Sequence, residues 1–242
     1  MENGVDRGWT TAIDGYCERM SAAFWAEPLN AVTNLAFIIA ALLAWRHASQ
    51  ETRRDWVFPA LIILLTAIGI GSFLFHTFAQ RWAALADVLP IGFYMLLYLA
   101  ASLRRGLSWP WAVAGIAAPV AIFGGSAALG ALSTVVPFGP ARGSIVAYGP
   151  AFLCLIGIGL LFIRRGIATG PWLLIAAGVF SLSLVLRSLD EPLCQATAGV
   201  GTHFLWHLLN ATVLLLTLYG YERHKRAVLA PGRTAQTAAA SP

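Results

Sequence analysis

Seven long apolar runs account for most of the chain, and short stretches rich in arginine, glycine and proline separate them. Each run is close to the roughly 20 residues that a helix needs to cross a bilayer. Lipid offers the backbone no hydrogen-bond partners, so a spanning segment must be a helix or part of a closed barrel, and these runs lack the alternation of barrel strands. The sequence therefore predicts an all-α membrane protein, a seven-helix bundle with spans at Ala26–Trp45, Trp56–Phe78, Ala84–Leu103, Trp109–Leu132, Ile145–Ile163, Pro171–Leu186 and Thr202–Tyr221.

The composition indicates that lipid is the main solvent of this protein. Of its 242 residues, 58% are hydrophobic and 11% are charged, whereas soluble domains carry about 25% charged residues. The net charge of +5 comes from short arginine clusters between the spans, so we expect no nucleic-acid partner. A single lysine among sixteen basic residues and abundant alanine are typical of GC-rich bacterial genomes, which favours a bacterial inner membrane.

The basic residues are distributed unequally between the two ends of the predicted bundle. Eleven of the sixteen fall at one end and five at the other. Because arginine and lysine concentrate in cytoplasmic loops, we expect the N-terminus outside and the C-terminus in the cytoplasm. The chain then divides into an extracytoplasmic segment (1–25), a seven-helix domain (26–221) and a cytoplasmic tail (222–242) that is first basic and then disordered. Residues 1–23 lack the basic start and apolar core of a cleavable signal peptide.

The cysteines suggest a covalent link at the predicted outer end. Cys17 and Cys194 both fall on extracytoplasmic segments, while Cys154 lies inside the fifth span. An extracytoplasmic compartment permits disulfides, so we hypothesise a Cys17–Cys194 bond. Two free thiols are the alternative.

Polar side chains that are rare in membrane helices gather at the predicted outer ends of three spans. Ser72 and His76 lie four residues apart at the end of the second span. His203 and His207 have the same spacing at the start of the seventh. A spacing of four places each pair on one face of a helix. Asp87 lies at the start of the third span. The second span ends at the outside, and the third and seventh spans start there, so all these groups lie at one depth.

Three histidines at one depth favour a metal site. One histidine alone usually forms hydrogen bonds between helices, but three imidazoles with an open position are a catalytic zinc arrangement. Zinc in such a site polarises a carbonyl and activates water. We expect Asp87 to act as general base and Ser72 to stabilise the developing oxyanion. Their alternative roles are helix capping for Asp87 and close helix packing for Ser72. The expected zinc ligands are His76, His203 and His207.

A second group of polar residues surrounds the start of the first span. Asp14, Glu18 and Glu27 could form a hard-cation site, because calcium favours carboxylate and carbonyl oxygens. Alternatively, they are surface acids that cap the first span. Thr33, inside that span, is interpreted as a hydrogen-bonding group between helices.

These motifs resemble those of a known family. The strings YCE and WAEPLNAVTN near the first span, GSFLFH followed by AD-x-LP, and H-x-x-WH in the last span are similar to the alkaline ceramidases and their bacterial relatives. That family belongs to a seven-helix membrane hydrolase superfamily, which includes the adiponectin-receptor-like proteins. The resemblance extends over nearly the whole span region, from Asp14 to Tyr221. It implies the same three zinc ligands, the same roles for Asp87 and Ser72, an outside N-terminus and the Cys17–Cys194 disulfide.

The resemblance is weaker at the expected calcium site. Eukaryotic members hold calcium with an Asp-Trp-Cys-Glu-x-Asn run and a later glutamate. The matching run here is GYCERM, which keeps Glu18, and Glu27 matches the later acid. The aspartate is displaced to Asp14 and Met20 replaces the asparagine. These departures concern calcium and leave the zinc prediction unchanged.

Three functional hypotheses follow. The first is hydrolysis of the amide bond of a ceramide-like lipid to a fatty acid and a sphingoid-type base, with the bilayer supplying the substrate. The second is a membrane lipid receptor or binding protein with a structural zinc. The third is haem ligation by two histidines from the second and seventh spans, which has no need of Asp87 or Ser72.

Overall fold

The computed structural model describes the backbone of residues 8–239 and the side chains as far as Val228. Over that range the chain is helical and has no β-strand, although Ala12 and Gln80 form an isolated bridge. Among the described residues, seven helices are long and apolar enough to cross a membrane, which confirms the predicted all-α bundle. We number them spans 1–7: Pro28–His47, Val57–Phe78, Arg81–Gly106, Trp111–Leu132, Gly139–Arg164, Gly170–Ser188 and His203–Val228. The orientation of the two termini stays a prediction.

Prolines explain several local features of the spans. Span 1 begins at Pro28, whose ring fits the first turn of a helix. This span consists of two helical pieces, Pro28–Thr33 and Leu35–His47. In span 4, a π-helical turn at Val120–Gly124 follows directly after Pro119. A π-turn absorbs the irregularity that proline introduces into a helix, so span 4 continues to its end.

The last helix is longer than the sequence predicted. It runs from His203 to Ala239, whereas the predicted span ends at Tyr221. Contacts just past the predicted end support this continuation. Glu222 accepts a hydrogen bond from the backbone N–H of Ser49 at 3.0 Å and another from Arg226 one turn later. Residues 240–242 lie outside the described range.

Spans 2 and 7 form the centre of the bundle. In each, 44% of the apolar segment is buried, compared with 17% in spans 4 and 5. Phe58, Leu61 and Leu65 of span 2 and Leu218 of span 7 are fully buried. Span 3 packs along span 2, and spans 1 and 6 pack against span 7. The two spans that carry the three histidines are therefore the most shielded from the surroundings.

A disulfide closes one end of the bundle. Cys17 and Cys194 are joined with their sulfur atoms 2.08 Å apart, which confirms the hypothesis, and Cys154 is a free thiol. The bond connects the segment before span 1 to the loop between spans 6 and 7, across 177 residues. Span 2 ends and span 7 begins here, so we call this the histidine end.

At the opposite end, one carboxylate links three parts of the chain. Asp55 precedes span 2 and accepts hydrogen bonds from Arg105 of span 3 at 2.5 Å and from Tyr221 of span 7 at 2.9 Å. Lys225 forms an ion pair with it, also at 2.9 Å. Burial raises the pKa of Asp55, but the hydrogen bonds from Lys225 and Arg105 outweigh burial and lower it overall.

This network predicts acid sensitivity. The Asp55→Asn variant should melt roughly 3–12 °C below wild type in detergent at neutral pH, because hydrogen bonds to charged groups contribute about 1.5–3 kcal/mol and 1 kcal/mol corresponds to about 2–4 °C. A carboxyl whose pKa is lowered by folding stabilises the fold above its unfolded pKa of about 3.9, and this contribution is lost as the pH falls through the folded pKa. The difference between wild type and variant should therefore shrink below about pH 4. A difference that is constant with pH would contradict this role for the carboxylate.

Candidate metal centre and active site

The structure brings the three histidines together. His76 lies in the last turns of span 2, and His203 and His207 occupy the first turns of span 7. Their ring centroids are 4.7–5.2 Å apart. All three side chains are buried, and one ligand atom from each lies within 4.8 Å of the others. Within the described part of the chain, this is the group whose geometry fits a metal ion.

The free nitrogen atoms of these rings point to a ligand. The Nε2 atom of His76 and the Nδ1 atom of His203 are buried and have no hydrogen-bond partner among the described residues. A buried polar atom without a partner costs about 1–3 kcal/mol. Three neighbouring imidazoles are also the ligands that zinc prefers. The residues present therefore fit a metal ion bound by His76, His203 and His207.

Two residues orient these rings: Glu27, directly before span 1, and Thr33, within span 1. The Nδ1 atom of His76 lies 2.6 Å from a carboxylate oxygen of Glu27, and the Nδ1 atom of His207 lies 2.9 Å from the hydroxyl of Thr33. Burial raises the pKa of Glu27, but its hydrogen bonds with His76 and Arg19 outweigh burial and lower it. Such outer partners fix the ring orientation of metal-binding histidines. The sequence predicted Thr33 as a hydrogen-bonding group between helices, which its contact with His207 confirms. It assigned Glu27 to calcium, so the contact of Glu27 with His76 was missed.

Ser72 and Asp87 complete the cluster. Ser72 is buried one turn before His76, and Asp87 lies on span 3 and is partly exposed. The two side chains interact with each other, and Asp87 also interacts with His76 and Arg187. All five residues that the sequence singled out for catalysis thus occupy one region. Asp87 is the most accessible member of this region.

A glycine permits this close approach. A Cβ atom at Gly71 would lie 2.0 Å from the backbone oxygen of Ala86, a distance that no side chain tolerates. Gly71 and Ala86 are the immediate neighbours of Ser72 and Asp87 in the sequence. Contact between the backbones of spans 2 and 3 therefore sets the separation of the serine and the aspartate.

The segment before span 1 folds over the histidines. The ring of Tyr16 stacks on His203 with centroids 3.9 Å apart and lies 5.0 Å from His76. Burial raises the pKa of Tyr16, so the phenol stays neutral. The neighbouring Cys17 is fixed by the disulfide. Sequence reasoning did not assign Tyr16, although its position directly before Cys17 placed it at this end.

Asp190 anchors both this segment and the start of span 7. One of its carboxylate oxygens accepts the backbone N–H of Cys17 at 3.0 Å. The other accepts the N–H groups of Thr202 and His203 at 2.7 and 2.8 Å, which caps the helix that begins at His203. Gly201 has a φ of +70° and leaves room for this carboxylate. Sequence reasoning missed Asp190 because its partners lie 12 to 173 residues away.

An apolar cavity of about 110 Å³ lies near the cluster but is lined by none of its five residues. Ile68, Ile91 and Asn210 in its wall lie about one turn from Ser72, Asp87 and His207 respectively, and Trp206 and Tyr148 also line it. The hydroxyl groups of Tyr94 and Tyr98 bond to Thr217, so these tyrosines present their rings to the cavity. Its size and lining suit an alkyl chain.

The acids expected to bind calcium have other partners. Glu18 accepts the backbone N–H groups of Leu29 and Asn30 at 2.7 and 2.8 Å, which caps the first helix of span 1. Asp14 is exposed. Glu27 forms an ion pair with Arg19 and a hydrogen bond with the Nδ1 atom of His76. Among the described residues these acids form no group with metal-type geometry, and the calcium site stays a prediction.

The fold and this site define a multi-pass membrane protein with a buried group of three histidines. The chain also matches the family model described as Ceramidase over residues 8–228. It therefore belongs to the ceramidase family, as the sequence resemblance indicated. A comparison with curated proteins gives no significant match. The family implies a hydrolase that acts on amide bonds and a lipid substrate.

An alanine substitution tests the backbone contact between Gly71 and Ala86. Gly71→Ala should force spans 2 and 3 apart and lower the melting temperature in detergent by several degrees, since overpacking costs about 1–3 kcal/mol. Gly92→Ala is the matched control, because a Cβ atom there meets no atom within 4 Å and alanine favours the helix. Equal melting temperatures for the two variants would contradict the close contact between Gly71 and Ala86.

Proposed function

We propose that this chain is a zinc-dependent intramembrane hydrolase that cleaves the amide bond of ceramide-like N-acyl lipids. The products are a fatty acid and a sphingoid-type base. The observation that carries the proposal is the group of three buried histidines beside Ser72 and Asp87, in a chain of the ceramidase family. Membership of the family supports the choice of bond, and the side chains supply the groups that its hydrolysis needs.

His76, His203 and His207 would hold the zinc ion. When bound, zinc in a site of this kind polarises a carbonyl group and makes a water molecule acidic enough to attack it near neutral pH. The contacts from Glu27 to His76 and from Thr33 to His207 would hold two of the rings in the binding orientation.

Asp87 and Ser72 would handle the proton and the developing charge. Asp87 accepts a proton from the attacking water as the oxygen of that water bonds to the carbonyl carbon. Ser72 donates a hydrogen bond to the carbonyl oxygen, on which negative charge develops. When the C–N bond breaks, Asp87 returns the proton to the leaving nitrogen. Water is thereby divided between a carboxylic acid and a free amine.

The cavity supports a substrate with a long alkyl chain. It begins about one turn inside the cluster, so a chain lying in it would leave its carbonyl end near Ser72 and His207. Burial of apolar surface would hold the chain, at roughly 0.8 kcal/mol for each methylene group. The partly exposed Asp87 lies where a substrate arriving from the bilayer would present its polar end.

We place this site at the extracytoplasmic side of a bacterial inner membrane. The distribution of arginine and lysine between the two ends supports this orientation. The position of the disulfide supports it as well, because disulfides form in oxidising compartments and Cys17–Cys194 lies at the histidine end.

Removal of one ligand tests the metal and the reaction together. We expect His207→Ala to lose bound zinc and to lower fatty-acid release from a labelled ceramide by at least about 10²-fold, since electrostatic stabilisation of the transition state contributes this much or more. His47→Ala, an exposed histidine at the opposite end, is the control and should keep both properties. Metal analysis and lipid extraction on the same preparation provide the two readouts.

Two outcomes would overturn the proposal. Full turnover by a metal-free His207→Ala variant would exclude the zinc mechanism. A wild-type protein that binds zinc and ceramide yet releases no fatty acid would favour the alternative, a membrane lipid receptor or binding protein with a structural zinc.

Asp87→Asn separates proton transfer from metal binding. Asparagine cannot accept the proton, so hydrolysis should fall by about 10²–10⁴-fold while the zinc content stays that of wild type. Asp14→Asn, which alters an exposed acid at the same end, should leave the rate unchanged. If Asp87→Asn retained the wild-type rate, Asp87 would not be the general base.

A further inference from the structure

We propose that the guanidinium group of Arg19 is a built-in cation that neutralises Glu27 and positions His76, so that this chain needs no calcium ion at its N-terminal acids. The inference rests on the proposed function only in taking zinc as the ion of the three histidines. It assigns Arg19 as a positioning residue, because Arg19 acts on the site through Glu27 and through the backbone of His76.

Two of the three acids near span 1 already have partners on both carboxylate oxygens. Both oxygens of Glu18 accept backbone N–H groups at the start of span 1. One oxygen of Glu27 accepts a hydrogen bond from Arg19, and the other contacts both Asn30 and His76. Asp14 is exposed and belongs to no metal-type group among the described residues. Calcium takes six to eight oxygen ligands, so these residues do not fit it.

Arg19 occupies the place where a cation would be needed. It is 7% exposed, and its guanidinium forms a direct ion pair with Glu27, which is 2% exposed. A buried carboxylate requires a compensating charge or several hydrogen-bond donors. Arginine cannot lose its proton in a protein, so this positive charge is present at any physiological pH and at any concentration of calcium.

The other nitrogens of Arg19 extend its effect to span 2. Nη2 donates to the backbone oxygen of His76 at 3.0 Å, and Nη1 donates to the backbone oxygen of Ser21 at 3.1 Å. The oxygen of His76 is one of the last carbonyls of its helix, which lack partners within the helix and attract positive charge. Arg19 thus holds both ends of His76: the backbone directly and the ring through Glu27.

A planar group with several donors is required for these contacts. Nε binds Glu27 while the two Nη atoms reach carbonyls on different segments. Lysine carries the same charge as a single point and cannot reproduce this fork. Charge neutralisation and geometry can therefore be separated by comparing Arg19→Lys with Arg19→Gln.

The first experiment measures the zinc affinity of the detergent-solubilised full chain by competition with a chromophoric chelator. Loss of an outer partner typically weakens metal binding by 10–100-fold, and we expect a decrease of about this size for Arg19→Gln. Arg19→Lys should lie between Arg19→Gln and wild type. Arg142→Gln is the control, because Arg142 is an exposed arginine at the same end and should bind zinc like wild type. Wild-type affinity in Arg19→Gln would overturn the proposal.

The second experiment uses wild type and calcium alone. Added calcium at about 10 mM, above the dissociation constants of weak calcium modules, should leave the melting temperature of the zinc-loaded protein unchanged. A calcium-specific rise, absent with magnesium, would overturn the proposal. This arm requires no variant, so a failure of Arg19→Gln to fold does not affect it.

The two arms also separate this inference from the proposed function. If wild type bound no zinc at the three histidines, the hydrolase proposal would fail, while the calcium titration of the zinc-free protein would still test whether a calcium ion binds at this end. If zinc bound and His207→Ala abolished it, but Arg19→Gln changed nothing, only the role of Arg19 would be lost.

Discussion

Imidazole nitrogens without hydrogen-bond partners are costly inside a bundle that lipid surrounds, and this cost dominates the histidine end of the protein. Three rings lie close together. Glu27 contacts one nitrogen of His76, and Thr33 contacts one nitrogen of His207. The Nε2 atom of His76 and the Nδ1 atom of His203 are left without a partner among the described residues, and a bound ion would satisfy them. The contacts of Glu27, Thr33 and Asp190 keep the three histidines in these positions, although some of their nitrogens lack partners.

Carboxylates in loops hold the central spans at both ends of the bundle. Asp190 fixes the start of span 7 and the disulfide segment, while Asp55 fixes the other ends of spans 3 and 7. Each accepts several donors from segments distant in sequence. The apolar faces alone allow helices to slide or rotate against one another, because lipid competes equally for apolar side chains. Directional polar contacts at the two ends remove that freedom, and the rings of span 7 consequently stay aligned with His76.

The sequence predicted the spans and the meeting of His76 with His203 and His207 because both depend on regular geometry. Apolar length identifies a span, a spacing of four gives a shared face, and alternating direction gives a common depth. The roles of Glu27, Asp190 and Tyr16 could not be predicted in this way. They lie in irregular segments without periodicity, and their partners are far along the chain: Glu27 and His76 are 49 residues apart, and Asp190 and Cys17 are 173 apart. The acids near span 1 were grouped by composition, whereas the folded chain pairs Glu27 with a nearby arginine.

The residues of the cluster come from the first, second, third and last spans, so they are synthesised at different times. Thr33 and Glu27 leave the ribosome early, but His203 and His207 follow more than 160 residues later. A nascent or truncated chain therefore has one histidine of the three and no closed centre. Assembly of the complete group has to wait until the final helix inserts.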